Sequence, residues 1–120
     1  AGFPTEGEAA HSRSMTALQA CDIVHAHVFP YSPRPGTAAA RMPQVPPALA
    51  RTRAAALRQA AAARKARWLQ SLCNIPQETV SEGARGLTPG YAEVRYRFPR
   101  PRGTLVIVQP SLSPDGFLVE

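Results

Sequence analysis

The chain has 120 residues, a formal charge of +6 and an isoelectric point near 10.4. A chain this short forms one or two small units with modest cores, and it lacks the run of about 18 apolar residues that a membrane-spanning helix needs. Thirteen of its fourteen basic residues are arginine, whose planar fork of donors suits phosphate and stacks on bases, so the charge favours a polyanionic partner, nucleic acid before membrane.

In chain order, residues 1–4 read as the end of a strand entering a turn. Thr5 and Glu8 have the spacing of a capping box, which predicts a helix over roughly residues 6–20. Residues 22–31 hold Ile23, Val24, Val28 and Phe29 and predict a strand, with His25 and His27 on one face by the period of two. Two imidazoles without a third ligand are weak evidence for metal, and no metal site is expected. Pro33, Pro35 and Gly36 then make a rigid loop.

Residues 47–72 are alanine-rich and strongly helix-forming, with Pro47 acceptable in the first turn. Leu49, Leu57, Ala60, Ala61, Trp68, Leu69 and Leu72 form one broad apolar side. Arg51, Arg58 and Lys65 recur every seven residues on another, and Arg53, Arg64 and Arg67 stand around the rim. Most of these cations read as a solvated outer face.

The composition turns β-rich after Asn74-Ile75-Pro76. Residues 77–82 predict a strand and 83–90 a loop. Residues 91–98 alternate, with Ala92, Val94, Tyr96 and Phe98 facing inward. Residues 104–109 form a nearly all-apolar strand expected to be buried on both faces, and 117–119 end the chain as a strand. Short strands with close turns suggest a small antiparallel barrel. The two cysteines, Cys21 and Cys73, stand far apart in no metal-ligand spacing and read as reduced, partly buried thiols of a cytoplasmic protein.

Three motifs in order carry a resemblance. The first is Gly2-Phe3-Pro4-Thr5-Glu6, followed by Glu8. The second is His27-Val28-Phe29-Pro30-Tyr31-Ser32-Pro33-Arg34-Pro35-Gly36-Thr37, running on to Arg41-Met42-Pro43. The third joins Thr79-Val80-Ser81-Glu82, Gly86-Leu87-Thr88-Pro89-Gly90-Tyr91 and Gly103-Thr104-Leu105-Val106-Ile107-Val108. Together they resemble the carboxy-terminal part of the MiaB-like radical-SAM tRNA methylthiotransferases. The second motif is closest to the branch that acts on threonylcarbamoyladenosine. Gly7 stands where that family usually has Thr, and Ala38 where it often has Pro.

The resemblance implies an α+β architecture. Residues 1–73 would be the last strand and helices of a partial (βα) radical-SAM barrel, including the long helix. Residues 74–120 would be a small antiparallel β-barrel of the RNA-binding TRAM type. It implies a parent enzyme that uses S-adenosylmethionine and two 4Fe-4S clusters to methylthiolate an adenosine beside the anticodon. The family's Cys-x-x-x-Cys-x-x-Cys motif is not in this sequence, so no catalytic residue and no cofactor is expected within the chain, and it should be inactive alone. By the same resemblance, Glu6, Tyr31, Ser32, Arg34 and Thr37 would lie on the S-adenosylmethionine side of the barrel mouth. For Glu6 a helix-start carboxylate favoured by the dipole weighs equally.

RNA contact is expected from Arg85, Tyr91, Arg95, Arg97, Arg100 and Arg102, which combine phosphate-binding forks with a stacking ring. The expected partner is the anticodon stem–loop of a tRNA, with no membrane. An exposed barrel edge would also invite a non-physiological dimer. The alternative is a stand-alone basic RNA-binding protein without enzymatic activity.

Overall fold

The computed structural model describes all residues, Ala1–Glu120, and the chain divides into two compact units, Ala1–Lys65 and Ala66–Glu120. The architecture is α+β: two α-helices, α1 (Glu8–Ala20) and α2 (Pro47–Leu72), and six short strands, β1 (Gln77–Ser81), β2 (Arg85–Leu87), β3 (Glu93–Arg95), β4 (Leu105–Val108), β5 (Ser111–Leu112) and β6 (Leu118–Val119).

In the first unit, α1 starts two residues later than predicted, and its cap is not the expected box. Gly7 is the N-cap in an extended conformation and no side chain caps the helix. The reason is a tertiary ion pair that outbids the local one. Arg53 of α2 is buried, and its guanidinium donates to the Glu6 carbonyl oxygen, to Glu6 Oε1 at 3.3 Å and to Glu8 Oε2 at 3.2 Å. A desolvated guanidinium must be matched by carboxylates, so Glu8 turns to Arg53 rather than back to the Thr5 backbone. Arg53 was expected at the solvated rim; it is instead the charged centre of this unit. Glu6 Oε2 also accepts from the Gly2 amide at 2.7 Å.

The core around Leu18, Leu57 and Ala61 gathers Met15, Ala26, Val28 and Ala60. On α2, Ala50, Ala54, Leu57 and Ala61 are buried at the spacing of one helical face, and their small side chains let other backbone come close. Gly2, at a φ of +82°, lies so near α2 that an added Cβ would stand 2.3 Å from Ala50 Cβ. Leu49, expected on the apolar side, is 39% exposed.

Residues 22–31 do not form the expected strand, nor do 1–4. A strand needs a ladder, and here a single residue supplies it: the Ala1 amino group donates to Phe29 O at 2.8 Å and Tyr31 N donates to Ala1 O at 2.7 Å. Arg34-Pro35-Gly36-Thr37 closes a turn through Thr37 N to Arg34 O at 3.2 Å, with Gly36 at a φ of +83°. Proline then glycine at these two positions is the signature of a type II turn. Cys21 is exposed and Cys73 half-buried, and both are free.

In the second unit one six-stranded sheet has the order β4-β1-β2-β3-β6-β5. It is mixed rather than purely antiparallel, because β3 and β6 run parallel, Val94 opposite Leu118. Strand β2 lies within the stretch read as a loop: its glycine is needed, not a breaker. Gly86 sits beneath the Tyr96 ring, where a Cβ would be 1.9 Å from the phenol oxygen. The core comprises Leu69 of α2 with Ala92, Val94, Tyr96, Val108 and Leu118, flanked by Trp68, Leu72 and Val106. Beside this core, Thr79 Oγ1 donates to Val106 O at 2.9 Å and so accepts from the Tyr96 hydroxyl at 2.6 Å.

Strand β4 was expected to be buried on both faces. It is the first strand of the sheet order, and only Val106 and Val108 turn inward, while Leu105 and Ile107 are 67% and 73% exposed. An apolar run thus marks an edge strand with one open face, not a central one. Phe98, expected in the core, is also exposed.

Replacing Arg53 by Ala should lower unfolding stability in urea by about 3 kcal/mol, because two acids lose a desolvated partner. The same change at exposed Lys65 should stay within about 0.5 kcal/mol. Gly86→Ala should cost about 2 kcal/mol or more by forcing Tyr96 out of its place, read as a lower melting temperature with loss of tyrosine near-UV dichroism.

Candidate nucleic-acid interface

The sheet's outer face carries the arginines singled out in the sequence. Arg85 of β2 and Arg95 of β3 are paired directly across the ladder. Like charges so placed repel, and acids relieve them. Arg85 donates to Glu82 at 3.1 Å and to Glu93 at 2.7 Å, and Arg95 Nε lies 3.9 Å from Glu93. The Arg95 guanidinium also stacks over Phe117, 3.7 Å from the ring centroid. Arg100 is ion-paired with Glu120 and lies 5.3 Å from the Tyr96 ring centroid.

Arg97 and Arg102 differ. Both are exposed and neither has an acidic partner; Arg97 lies 5.5 Å over the ring of exposed Phe98. They stand on the turn between β3 and β4, which three backbone bonds hold to the β1–β2 region: Tyr96 N to Ala84 O, Arg100 N to Gly83 O and Gly103 N to Ser81 O. The turn is thus a fixed ledge with two uncommitted guanidinium groups and an open aromatic ring.

Tyr91 projects from the opposite end of β3, 73% exposed and at a φ of +63°. A left-handed conformation costs a non-glycine residue about 1 kcal/mol. Tyr91 also lines a groove of about 270 Å³ with Val80, Leu87 and Pro89. Val80, paired with both Leu87 and Leu105, continues this apolar surface toward Ile107.

In the first unit the five residues expected on the cofactor side do not line one cavity. The Glu6 carboxylate is committed to Gly2 and Arg53. Thr37 Oγ1 donates to Arg34 O at 2.9 Å within its own turn. Ser32 and Arg34 are exposed. Tyr31 meets Phe3 edge-on with centroids 5.2 Å apart and lines a groove of about 280 Å³ with Gly2, Gln44 and Arg51. No three His, Cys, Asp or Glu side chains converge. The two free cysteines therefore do not fit an iron–sulfur cluster.

Comparison with known proteins now bears on this geometry. Over 59 residues the chain is 48% identical to the threonylcarbamoyladenosine tRNA methylthiotransferase MtaB of Rickettsia prowazekii, which covers 49% of this chain and 14% of the relative. Over 83 residues it is 36% identical to the tRNA-2-methylthio-N(6)-dimethylallyladenosine synthase of Coxiella burnetii, covering 68% and 19% respectively. The chain is a homologue of tRNA methylthiotransferases. It spans under a fifth of the length of these two relatives. No family model matches it.

In this tRNA methylthiotransferase homologue, composition does not reveal which arginines are uncommitted, because that depends on acids far away in sequence, such as Glu120 beside Arg100. The open ring of Phe98 and the apolar surface of Val80, Leu105 and Ile107 were missed for a related reason. The alternation places Phe98 inward, but β3 ends at Arg95 and the chain turns away before it.

Tyr91→Gly should raise unfolding stability by about 0.5 to 1 kcal/mol, since it removes the left-handed strain of a side chain that is mostly in water. Denaturant titration beside the parent chain measures it; a loss of stability would show that the ring contributes packing instead.

Proposed function

We propose that the chain is the carboxy-terminal part of a tRNA methylthiotransferase of the threonylcarbamoyladenosine branch, and that its β-rich part holds the tRNA substrate near the anticodon stem–loop. The 48% identity to the Rickettsia relative, whose name gives that activity, carries the enzyme class. The ledge of Arg97 and Arg102 beside the ring of Phe98 supports the RNA-holding role, because uncommitted guanidinium groups near an open aromatic ring suit a phosphate backbone and its bases. On this reading residues 74–120 are a TRAM-like module and residues 1–73 the end of a radical-SAM barrel. No helix of the chain is long and apolar enough to cross a membrane, and the reading puts the enzyme with its tRNA in the cytoplasm.

S-adenosylmethionine and two 4Fe-4S clusters belong to the whole enzyme on this proposal, where they supply the radical that activates an adenine carbon. This chain's share is to bind and orient RNA. Glu6 acts as a positioning group for α1 and α2 through Arg53, and Tyr31, Ser32, Arg34 and Thr37 lie toward the barrel mouth. Within the RNA set, Arg97 and Arg102 make the first phosphate contacts. Arg85, Arg95 and Arg100 must share their guanidinium groups with Glu82, Glu93 and Glu120, and Tyr91 offers a stacking ring.

Binding of a labelled anticodon stem–loop across a salt series tests this. Arg97→Ala and Arg102→Ala should each weaken binding and lower the slope of log affinity against log salt by about 1. Arg85→Ala should have a smaller effect, because that side chain already serves two acids. Absence of binding at low salt would sink the RNA-holding role.

A further inference from the structure

A second basic feature lies in the first unit and owes nothing to the sheet. The extended stretch around residues 24–27 and the middle of α2 enclose a pocket of about 310 Å³. His25, His27, Arg58 and Lys65 stand around it, over a floor that includes Ala61 and Ala62. Two elements thus converge four nitrogen-bearing side chains on one space. The spacing makes this possible: His25 and His27 share a face of extended chain, and Arg58 and Lys65, seven residues apart, share a face of the helix.

The charge balance is one-sided. No carboxylate lines the pocket. The neighbouring acid, Asp22, is already ion-paired with Arg64. Arg58 spends one N–H on Val28 O at 3.0 Å, which ties the extended stretch to the helix and fixes the wall. Its remaining donors are uncommitted, and Lys65 is exposed without an acidic partner. Grouped cations without a counter-charge repel one another, and an anion that accepts hydrogen bonds from several of them relieves the repulsion. The alanine floor leaves the space open, where longer side chains would fill it.

We propose that this pocket binds a phosphate group, carried either on an RNA strand or on a free nucleotide. Arg58 and Lys65 neutralise its charge, His27 and His25 bound it from the other side, and the apolar floor accommodates the carbon part of the ester. The proposal is independent of the RNA role given to the sheet, since it rests on different residues in the other unit.

The test is NMR titration of the isotope-labelled full chain with inorganic phosphate, adenosine monophosphate and a short single-stranded RNA, following resonances of residues 24–27 and 58–65. Saturable shifts there are expected, with affinity falling about threefold or more in Lys65→Gln and in His27→Gln and restored in Lys65→Arg. Lys65 is exposed, so resonances elsewhere should keep their positions and certify the fold. RNA binding tighter than the mononucleotide at equal phosphate concentration assigns a strand phosphate; the reverse order assigns a free nucleotide. Shifts confined to the sheet residues, no saturable shift with any of the three, or shifts unchanged in both variants, would overturn the proposal. The RNA role of the sheet is read separately, from residues 91–102 in the same spectra.

Discussion

One helix serves two cores, and that constraint shapes the molecule. Helix α2 gives small residues, Ala50, Ala54 and Ala61 with Leu57, to the first unit and large ones, Trp68, Leu69 and Leu72, to the second. The small residues allow close approach of backbone, as Gly2 shows against Ala50. They bury little apolar area each, so the first unit relies unusually on a charged tie. Arg53 fills that need by drawing Glu6 and Glu8 to the helix. The larger residues of the last turns instead meet a sheet whose own strands are too short to close a core without them.

Arginine in this chain has two kinds of work. Arg53, Arg58 and Arg64 tie backbone or carboxylates within the first unit. Arg85, Arg95 and Arg100 do the same on the sheet. These residues use their charge locally, where geometry and burial decide the worth of each contact. Only the cations left over, Arg97 and Arg102 on the ledge and Lys65 beside the alanine-floored pocket, are available at full charge to a polyanion. A net charge of +6 therefore describes the partner class better than it describes the place of contact.

What could be read in advance follows from how local each signal is. Helix α2 was legible to the residue, because alanine content and a first-turn proline act within the helix itself. Strand β1 and the inward turn of Ala92, Val94 and Tyr96 were legible from alternation. The capping box at Thr5 and Glu8 was a sound local pattern that lost to Arg53, more than forty residues away. Glycine misled at Gly86, where it permits a buried tyrosine to lie across a strand rather than ending one.

The sequence by itself determined the helices, the inward face of β3, the basic character and the resemblance to tRNA methylthiotransferases, since composition, short-range periodicity and motif order are all written along the chain. Only the tertiary structure decided that β4 is an edge strand with an open apolar face, that β3 and β6 run parallel, that Arg53 is buried, and that Arg97 and Arg102 are uncommitted. Each of these depends on which distant residue stands opposite, and pairing across long separations is set by packing of the whole unit rather than by any local preference of the chain.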